Sequence, residues 1–452
     1  MRCCLIIILS LLAFSPAVAH VSERALVLLL PTEIYIRSGV IAVALTVALL
    51  FLIPPSAFKS LFKSRSLSKP PKFDVSTWVS LASTVLLFTA IYIGFNGPRD
   101  PLANLLPLLI WTIWWILLPI LSALFGNVWQ ALNPWSGLYR LSGLKPVLKT
   151  RPSYAIASAT LILFSLFVVT DIAPDDPDRL ATITLAYWLF TALMMVLFGP
   201  DWLSRAEPFT VYFTQLSKLS LLWSDDAVKT GFPGTRLSIA KPPILLTILI
   251  IIALGAGSFD GLNETFWWLA QIGINPLEFP GRSAVAWPNG IGLLAGITLL
   301  GTIVATATWL GLKLVGEAGQ FSSLFPRLTL SLIPIALGYH IAHYLTSFMV
   351  GIQYVLKAAS DPMGTGQDLL NIGQFYVTTS FFNVPSTVEA IWLTQASAIV
   401  IGHILAVLIA HAIALDALKD HRRATLSQLP VAAFMVAYTF FGLWILAQPT
   451  GA

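Results

Sequence analysis

The stretch GYHIAHY, residues 338–344, lies inside a long apolar segment that runs from about residue 328 to residue 357. A second long apolar segment, from about 387 to 415, carries His403 and His411. Each is longer than the ~20 apolar residues that are needed to cross a bilayer. The chain has six histidines, and four of them fall in these two segments. Because an ionisable side chain at membrane depth is costly unless a partner, a cavity or a metal accommodates it, we expect the chemistry of the protein here.

The spacing of these histidines predicts that they share one level of the membrane. If both segments meet the same surface, His340 and His403 each lie about 18 Å deep, near the midplane. His343 is one helical turn from His340 on nearly the same face. Glu389 falls on the face of His403, closer to the opposite surface. Pro334, shortly before the first pair, predicts a kink.

Composition assigns the chain to the polytopic helical membrane proteins. Its 452 residues are 57% hydrophobic and only 10% charged, whereas soluble domains are roughly 25% charged. We therefore expect an all-α fold with one transmembrane domain over residues 20–452 and the lipid bilayer as its main partner. The basic loops are explained by membrane topology and anionic lipid, so no nucleic acid partner is expected. The sequence has no G-x-x-x-x-G-K-[ST] loop, so direct ATP binding is not expected either.

The N-terminus has the pattern of a cleaved signal peptide over residues 1–19. Arg2 precedes an apolar stretch at residues 3–14, and Ala17-Val18-Ala19 forms an A-x-A cleavage site. Both cysteines would leave with the signal, so any metal would be bound through nitrogen and oxygen ligands. Cleavage would make His20 the first residue. Its amine and imidazole suit copper at a separate outer-surface site, or His20 is simply the residue after the cut.

We predict about ten spans. They are residues 35–53, 76–94, 104–125, 153–171, 179–198, 242–259, 289–314, 328–356, 387–415 and 430–447. Lys and Arg concentrate in alternate connections, and most acids lie in the others. Since basic loops stay in the cytoplasm, both mature termini are expected outside, which in a bacterium is the periplasmic side of the inner membrane.

An internal repeat covers about residues 76–145 and 153–220. The copies read LFGNVW followed by NPW, from residue 124, and LFGPDW followed by EPF, from residue 197. Repeated pairs of spans occur in transporters, but plain duplication produces them too. We expect the Trp, Asn and Pro residues to anchor the chain at the membrane interface.

Two connections on the outer side are long enough to contribute to a site. Residues 258–268 predict a short capped helix at the membrane surface. Residues 360–369 join the two histidine-bearing spans and could cap an outward-opening cavity above the histidines. Their polar side chains, among them Asp361 and Asp368, are also explained as turn residues, and we prefer that explanation for Asp361-Pro362.

Several of these motifs together resemble a known family. They are the His20 start, the LFGN and NPW element, the GYHIAHY span and the loop SDPMGTGQDL from residue 360. The chain is similar, over nearly its whole length, to a bacterial family of polytopic membrane proteins whose members are labelled fenitrothion hydrolase. The resemblance implies hydrolysis of organophosphate triesters and assigns no catalytic residues.

The first functional hypothesis is therefore a metal-dependent hydrolase within the membrane. Imidazoles of His340, His343 and His403 would hold one divalent ion, zinc or copper, and leave a position for water. The ion would lower the pKa of that water toward ~7 and polarise a phosphoryl oxygen. Glu389 or Asp368 would orient or deprotonate the water. An apolar triester would reach the site from the bilayer.

Alternatives from other classes remain open at this point. Intramembrane histidines also mark ion pathways, so the chain could be a transporter or a copper-handling protein. Haem held by His340 and His403, with electron transfer, is a further possibility.

A structural role for the histidines is the remaining interpretation. Neutral imidazoles would hydrogen-bond across helices near Tyr339, Tyr344 or Gln395 and hold the bundle together. His411, close to the cytoplasmic end of its span, is interpreted as an interfacial histidine beside Asp416.

Overall fold

The structure is a computed structural model that describes residues 27, 30–69, 75–278 and 281–450. The predicted signal peptide, both cysteines and His20 lie outside the described residues. Long runs of Leu, Ile, Val, Ala and Phe fold as helices because a helix satisfies its own backbone hydrogen bonds in an apolar environment. The prediction of an all-α fold is confirmed.

The elements follow one another along the chain with few irregular stretches. In the first half they are α1 (Thr32–Leu49), α2 (Pro55–Leu61), β1 (Arg65–Ser68), α3 (Ser76–Asn96), α4 (Leu105–Leu108), a π-helix (Leu109–Leu117), α5 (Leu118–Phe125), α6 (Trp129–Leu132), α7 (Ser136–Ser142), α8 (Tyr154–Thr170), α9 (Pro177–Phe198), α10 (Asp201–Arg205), α11 (Pro208–Leu216), a 3₁₀ turn (Ser217–Leu219), β2 (Leu222–Ser224), β3 (Val228–Thr230) and α12 (Thr235–Ser238). In the second half they are α13 (Ile244–Asn263), α14 (Phe266–Gln271), a 3₁₀ turn (Pro276–Glu278), α15 (Arg282–Leu314), a 3₁₀ turn (Ala318–Gln320), α16 (Phe321–Thr329), a 3₁₀ turn (Leu330–Leu332), α17 (Ile333–Ser360), a 3₁₀ turn (Ser380–Asn383), α18 (Pro385–Leu418), α19 (His421–Ser427) and α20 (Leu429–Ala447).

The predicted spans all correspond to helices. Within the described residues, nine helical segments are long and apolar enough to cross a membrane, and the remaining predicted span is the shorter α8, with 17 residues. α4, the π-helix and α5 form one of the nine, and so does the continuous segment Ala318–Ser360. The chain is therefore a multi-pass membrane protein by the length and composition of its helices.

Successive spans reverse direction, so their connections fall on two faces. We call one the basic face, and its connections are residues 50–75, 126–153, 199–243, 315–320 and 419–428. We call the other the acidic face, and its connections are residues 97–104, 171–176, 264–281, 361–384 and 448–450.

Large apolar side chains cover the outside of the bundle. Trp78, Trp287 and Leu52 are 69%, 81% and 77% exposed. Such a surface is unfavourable in water but is expected where lipid tails surround the helices.

The two histidine-bearing helices, α17 and α18, pack on each other as predicted. A Cβ at Gly338 would lie 2.5 Å from the Ala398 carbonyl oxygen, and a Cβ at Gly402 would lie 2.6 Å from that of Pro334. The two backbones therefore touch, which small residues permit in membrane helices. A 3₁₀ turn, Leu330–Leu332, lies directly before α17, and Pro334 stands in the first turn of that helix. The kink predicted there stays a prediction. Among the nine spans, the one that contains α17 is the most enclosed by protein.

Both copies of the internal repeat have the same local structure. Gly126 and Gly199 end α5 and α9 with φ of +96° and +68°, a conformation that favours glycine. Asn133 and Glu207 then accept hydrogen bonds from backbone amides at the start of α7 and α11. Each copy is thus a span, a glycine stop, a short helix and a polar cap before a second short helix.

The tryptophans of the repeat do not lie at the lipid interface. Trp129, Trp135 and Trp202 are only 6%, 5% and 3% exposed. The indole N–H of Trp129 donates to the Thr210 hydroxyl of the other copy at 3.0 Å. Interfacial anchoring is wrong for these residues, because the two copies bury them against the bundle.

α11 enters the bundle from the basic face. Nearly all of its residues are buried, and the ring of Phe209 packs edge-on against Trp114 with 4.5 Å between centroids. Trp114 lies in the middle of the third span, so α11 reaches membrane depth.

A small antiparallel sheet joins two connections on the basic face. Its strand order is β1-β3-β2, with Arg65 opposite Thr230 and Trp223 opposite Lys229. The sheet ties the connection after α1 to the connection that follows α11, and sequence analysis had not predicted it.

Candidate functional site

A cavity of about 800 Å³ extends from the acidic face into the bundle. Its outer wall includes Asp175, Glu264 and Thr450, which belong to acidic-face connections. Its inner wall includes Trp115 and Ile399, which lie inside spans. The volume falls within the range of roughly 300–1,000 Å³ that is typical of small-molecule sites.

Three polar side chains meet on the wall of this cavity. The His343 Nε2 lies 3.1 Å from the Asp260 Oδ2, and the side chains of these two residues are only 21% and 15% exposed. The hydroxyl of Tyr344 donates to the same Oδ2 at 2.5 Å. We call Asp260, His343 and Tyr344 the acid–imidazole cluster. The Asp260 carboxylate is contacted by the His343 imidazole and the Tyr344 hydroxyl on one side, and it lines the cavity on its other side.

Two helices position this cluster. Asp260 is the only acidic residue of α13, which continues four residues past the predicted end of that span at residue 259. His343 and Tyr344 are consecutive residues of α17, about 100° apart around the helix, so they approach the carboxylate from two directions. Sequence analysis found His343, named Tyr344 only as a hydrogen-bonding neighbour of the histidines, and assigned no role to Asp260. A single acid in an otherwise apolar segment was the signal that could have revealed the pair.

The rim of the cavity is held by α14. Thr265 caps this helix by accepting a hydrogen bond from the backbone amide of Trp268 at 3.1 Å. The short capped helix predicted over residues 258–268 is present only from Phe266 to Gln271, because residues 258–263 continue the span α13. The indole N–H of Trp268 donates to Asn289 Oδ1 at 2.8 Å. Asn289 in turn reaches Asn263 at 3.4 Å. The two amides line the entrance and add hydrogen-bonding groups beside the cluster.

His340 lies behind the cluster and is held by the third span. Its Nε2 donates to the Ile116 carbonyl at 3.2 Å, and its ring packs against Tyr344 with 4.9 Å between centroids. The acceptor belongs to the π-helix Leu109–Leu117, an irregular form of helix. His340 therefore donates a hydrogen bond to a carbonyl group of this irregular stretch of backbone.

His403 has different neighbours. It is fully buried, and its Nδ1 bonds to the Ile399 carbonyl of its own helix at 2.9 Å. Its ring lies 6.3 Å from Tyr339 and 6.2 Å from Tyr438 between centroids. Its Nε2 has no hydrogen-bond partner in the described part of the chain.

The predicted three-imidazole metal centre does not fit this arrangement. Within the described ranges, no group of three or more His, Cys, Asp and Glu side chains is placed to hold one ion. His340, His343 and His403 each use a ring nitrogen on a different partner, and His403 lines neither of the two cavities that adjoin His343. The haem alternative lacks space for the same reason, since neither cavity is lined by both His340 and His403.

The structure places both predicted catalytic acids away from the cluster. Glu389 accepts a hydrogen bond from the hydroxyl of Tyr35 in α1 at 2.8 Å. Asp368 accepts hydrogen bonds from the Ser360 hydroxyl and from two backbone amides of its own loop. Neither carboxylate lines the cavity.

The segment that closes over the cavity is also different from the predicted one. Residues 360–369 do not line the cavity, whereas Glu264, Leu269, Pro276 and the stretch 448–450 do. The loop between the histidine-bearing helices is instead held by hydrogen bonds from its own backbone amides to Asp361 and Asp368.

His411 is not the interfacial residue that the sequence suggests. It is fully buried, with its ring 4.7 Å from that of Phe58. Its expected neighbour, Asp416, pairs with Arg327 at 2.7 Å. His411 is therefore enclosed by protein at the basic face.

Fold and site together define an all-α polytopic membrane protein with a cavity open to one face and an acid–imidazole cluster on its wall. Comparison of the chain with protein-family models, curated proteins and solved structures gave no match.

Proposed function

We propose that the chain is a membrane-embedded hydrolase of apolar esters, with organophosphate triesters as the substrate class that its resemblance to the fenitrothion hydrolase family suggests. The supporting observation is the contact of 3.1 Å between His343 and Asp260 on the wall of the cavity. A base held by a carboxylate beside a space for substrate is the arrangement that general-base catalysis requires.

The roles follow from the hydrogen bonds. Asp260 accepts from the Nε2–H of His343, which leaves Nδ1 of that ring as the base. A water molecule in the cavity gives its proton to Nδ1 while its oxygen bonds to phosphorus and the bond from phosphorus to the leaving oxygen breaks. The proton then passes from His343 to the departing alkoxide or aryloxide. Asp260 stabilises the intermediate imidazolium, and Tyr344 keeps the carboxylate in place.

The walls of the cavity suit an apolar ester with a polar centre. The indoles of Trp111, Trp115 and Trp392 line its inner part, and Asn289 and Arg282 line its outer part. Aromatic walls with a few placed polar groups are typical of small-molecule sites. Triesters carry no charge, so they partition into the bilayer and reach the bundle from lipid or from the acidic face.

Zinc or copper, which the sequence suggested at the three histidines, has no role in this proposal. The donor atoms of His340, His343 and His403 are directed to separate partners, so no step is assigned to an ion between them.

The test is hydrolysis of a nitrophenyl phosphotriester by the full chain purified in detergent. We expect His343→Gln to lower kcat by about 100-fold or more, the effect of removing a general base, and Asp260→Asn to lower it similarly. Glu389→Gln is the matched control, because this carboxylate does not line the cavity and pairs with Tyr35 instead. Full activity of the His343 variant, or no hydrolysis of any triester by the unaltered chain, would reject the proposal.

A proton-coupled transporter is the second candidate, and one observation favours it. A smaller cavity of about 50 Å³ lies against the cluster and is lined by His340, His343, Asp260 and Tyr212 of α11. The acid–imidazole cluster thus separates the main cavity from a space bordered by a helix that enters from the opposite face. Titratable groups in such positions carry protons in transporters.

Proteoliposomes distinguish the two candidates. A transporter would acidify or alkalinise the lumen when a solute gradient is applied, and Asp260→Asn would abolish the pH change. A hydrolase would release nitrophenol in detergent without any lumenal pH change.

A further inference from the structure

Two histidines face each other at the basic face, far from the cavity. His411 belongs to α18 and His421 to α19, and their ring centroids are 5.9 Å apart with the ring planes at 85°. Phe58 of α2 packs on His411 from the other side, at 4.7 Å between centroids. The pair is therefore enclosed by three separate elements of the fold.

Three nitrogens of this pair are buried without a hydrogen-bond partner in the described part of the chain. They are both ring nitrogens of His411 and the Nδ1 of His421. A neutral imidazole has one donor and one acceptor, and leaving them unsatisfied in a buried place is unfavourable. We therefore expect a ligand that is not part of the protein to bind between these two rings.

The separation of the rings suits a shared metal ion. A metal–imidazole bond is about 2.0–2.1 Å long, so two imidazoles on one ion can have centroids up to roughly 6.4 Å apart. The observed 5.9 Å lies just below that limit, which implies a wide angle at the ion. Perpendicular ring planes are compatible with this arrangement, because each ring can still direct a nitrogen to the same point.

We propose that His411 and His421 bind one monovalent copper ion at the basic face. Copper accepts imidazole ligands, and its monovalent d¹⁰ form can be coordinated by only two of them, here with a wide angle at the ion. Zinc requires four ligands as a rule, and no third His, Cys, Asp or Glu of the described residues joins this pair. A second positive charge would also be buried without a carboxylate to balance it. This site is independent of the acid–imidazole cluster and of the proposed hydrolysis.

The test is an anaerobic titration of the full, detergent-purified chain with Cu(I) against a chromogenic Cu(I) chelator. All proteins carry His20→Ala, so that an N-terminal imidazole cannot contribute. We expect one ion per chain, with X-ray absorption showing two nitrogen neighbours, and at least tenfold weaker binding in His421→Gln. Copper should raise the Tm of the parent protein and leave that of the variant unchanged.

His403→Gln is the matched control, because His403 is also fully buried with an unpartnered nitrogen but has no second histidine beside it. It should bind copper as the parent does. If His421→Gln does not fold, His421→Phe keeps an aromatic ring in that place and tests the same ligand. Copper binding that survives loss of His421, equal binding of zinc through the same pair, or no binding by the parent would overturn the proposal. Triester hydrolysis by the His421 variants should be unaltered, so the two proposals fail separately.

Discussion

Asp260 shows how a single residue determines the character of the site. Its Oδ2 has two donors, the imidazole of His343 and the hydroxyl of Tyr344, and the cavity lies beside it. His403, which lies in the middle of α18, has only a backbone carbonyl of its own helix. The two histidines differ in their partners, since His343 contacts a carboxylate and His403 contacts a backbone carbonyl. A carboxylate and an imidazole together can hold and transfer a proton, whereas an imidazole bonded to a carbonyl is fixed as a donor.

The Tyr344 hydroxyl should matter for activity more than for folding. Tyr344→Phe keeps the ring against His340 and removes one charge-assisted hydrogen bond, which is worth about 1.5–3 kcal/mol. We expect kcat/KM for the triester to fall roughly tenfold or more. Steady-state kinetics checks this.

Tyr438→Phe is the control for that substitution. The Tyr438 hydroxyl pairs with the neutral Ser258 at 2.8 Å, so its loss removes a buried hydrogen bond of a different kind. Equal kinetic losses in the two variants would show that Tyr344 acts on packing and not on Asp260.

At the scale of elements, the contact between α17 and α18 fixes where the site can be. The close approach at Gly338 and Gly402 places the helices backbone to backbone. α17 is then held in the centre of the bundle, with His343 and Tyr344 directed to α13.

Gly338→Ala should separate these helices. The added Cβ would lie 2.5 Å from a backbone oxygen, which cannot move as a side chain does. We expect a loss of about 1–3 kcal/mol in the free energy of unfolding, as for other overpacked positions. Thermal unfolding in detergent measures it.

Gly296→Ala in α15 provides the comparison. The nearest side-chain atom there, from Phe259, would be at an ordinary 3.8 Å, so the substitution should be neutral or slightly stabilising through helix propensity. If both variants lose the same stability, close approach is not the cause.

The connection between α17 and α18 is organised by its own aspartates. Asp361 accepts from the backbone amides of Thr365 and Gly366, and Asp368 accepts from the Ser360 hydroxyl and from two amides further along. The loop is therefore held by turn chemistry, the second of the two interpretations that the sequence allowed.

This loop should loosen in acid. The hydrogen bond from Ser360 and those from the amides of Gly373 and Ile372 lower the pKa of Asp368. A carboxyl whose pKa is lowered on folding stabilises the folded loop at any pH above its pKa in the unfolded chain, about 3.9. This contribution is lost as the pH falls through the pKa of the same carboxyl in the folded loop. We expect faster amide hydrogen exchange at residues 369–373 once the pH is below the pKa of Asp368 in the folded loop, after correction for intrinsic exchange rates.

Asp368→Asn should show the fast exchange at neutral pH already. Asp175→Asn, at another acidic-face connection, should leave residues 369–373 unchanged. Slow exchange in the Asp368 variant at pH 7 would contradict the role of this carboxylate.

For the whole molecule, charge is distributed unequally between the two faces. The basic-face connections contain most of the Lys and Arg, for example Lys59, Lys145 and Arg236, while Asp175, Asp176 and Asp361 lie at the acidic face. We propose that the basic face is cytoplasmic and that the chain lies in an inner membrane with both mature termini on the periplasmic side. The cavity would then open outward.

Cysteine labelling tests this orientation. Cys3 and Cys4 are the only cysteines, so they are first replaced by serine. We expect a membrane-impermeant maleimide to label Gln367→Cys in intact cells and to label Ser142→Cys only after permeabilisation. Both positions are exposed, one on each face. The opposite pattern would place the cavity opening in the cytoplasm.

The sequence alone predicted the class and the helices with good accuracy. Composition and apolar run length are local properties, and each membrane helix satisfies its own backbone, so the spans could be located one at a time. The pairing of α17 with α18 was also predicted, because both carry histidines at matching depth.

Only the tertiary structure decided which polar groups meet. His343 pairs with Asp260 of α13 and not with His403 of the neighbouring α18, because the rotation of each helix about its axis depends on packing with all its neighbours. The same holds for His411, which meets His421 through the turn between α18 and α19. A sequence gives the depth of a side chain in the membrane, but the direction in which it points is fixed by contacts that are distant along the chain.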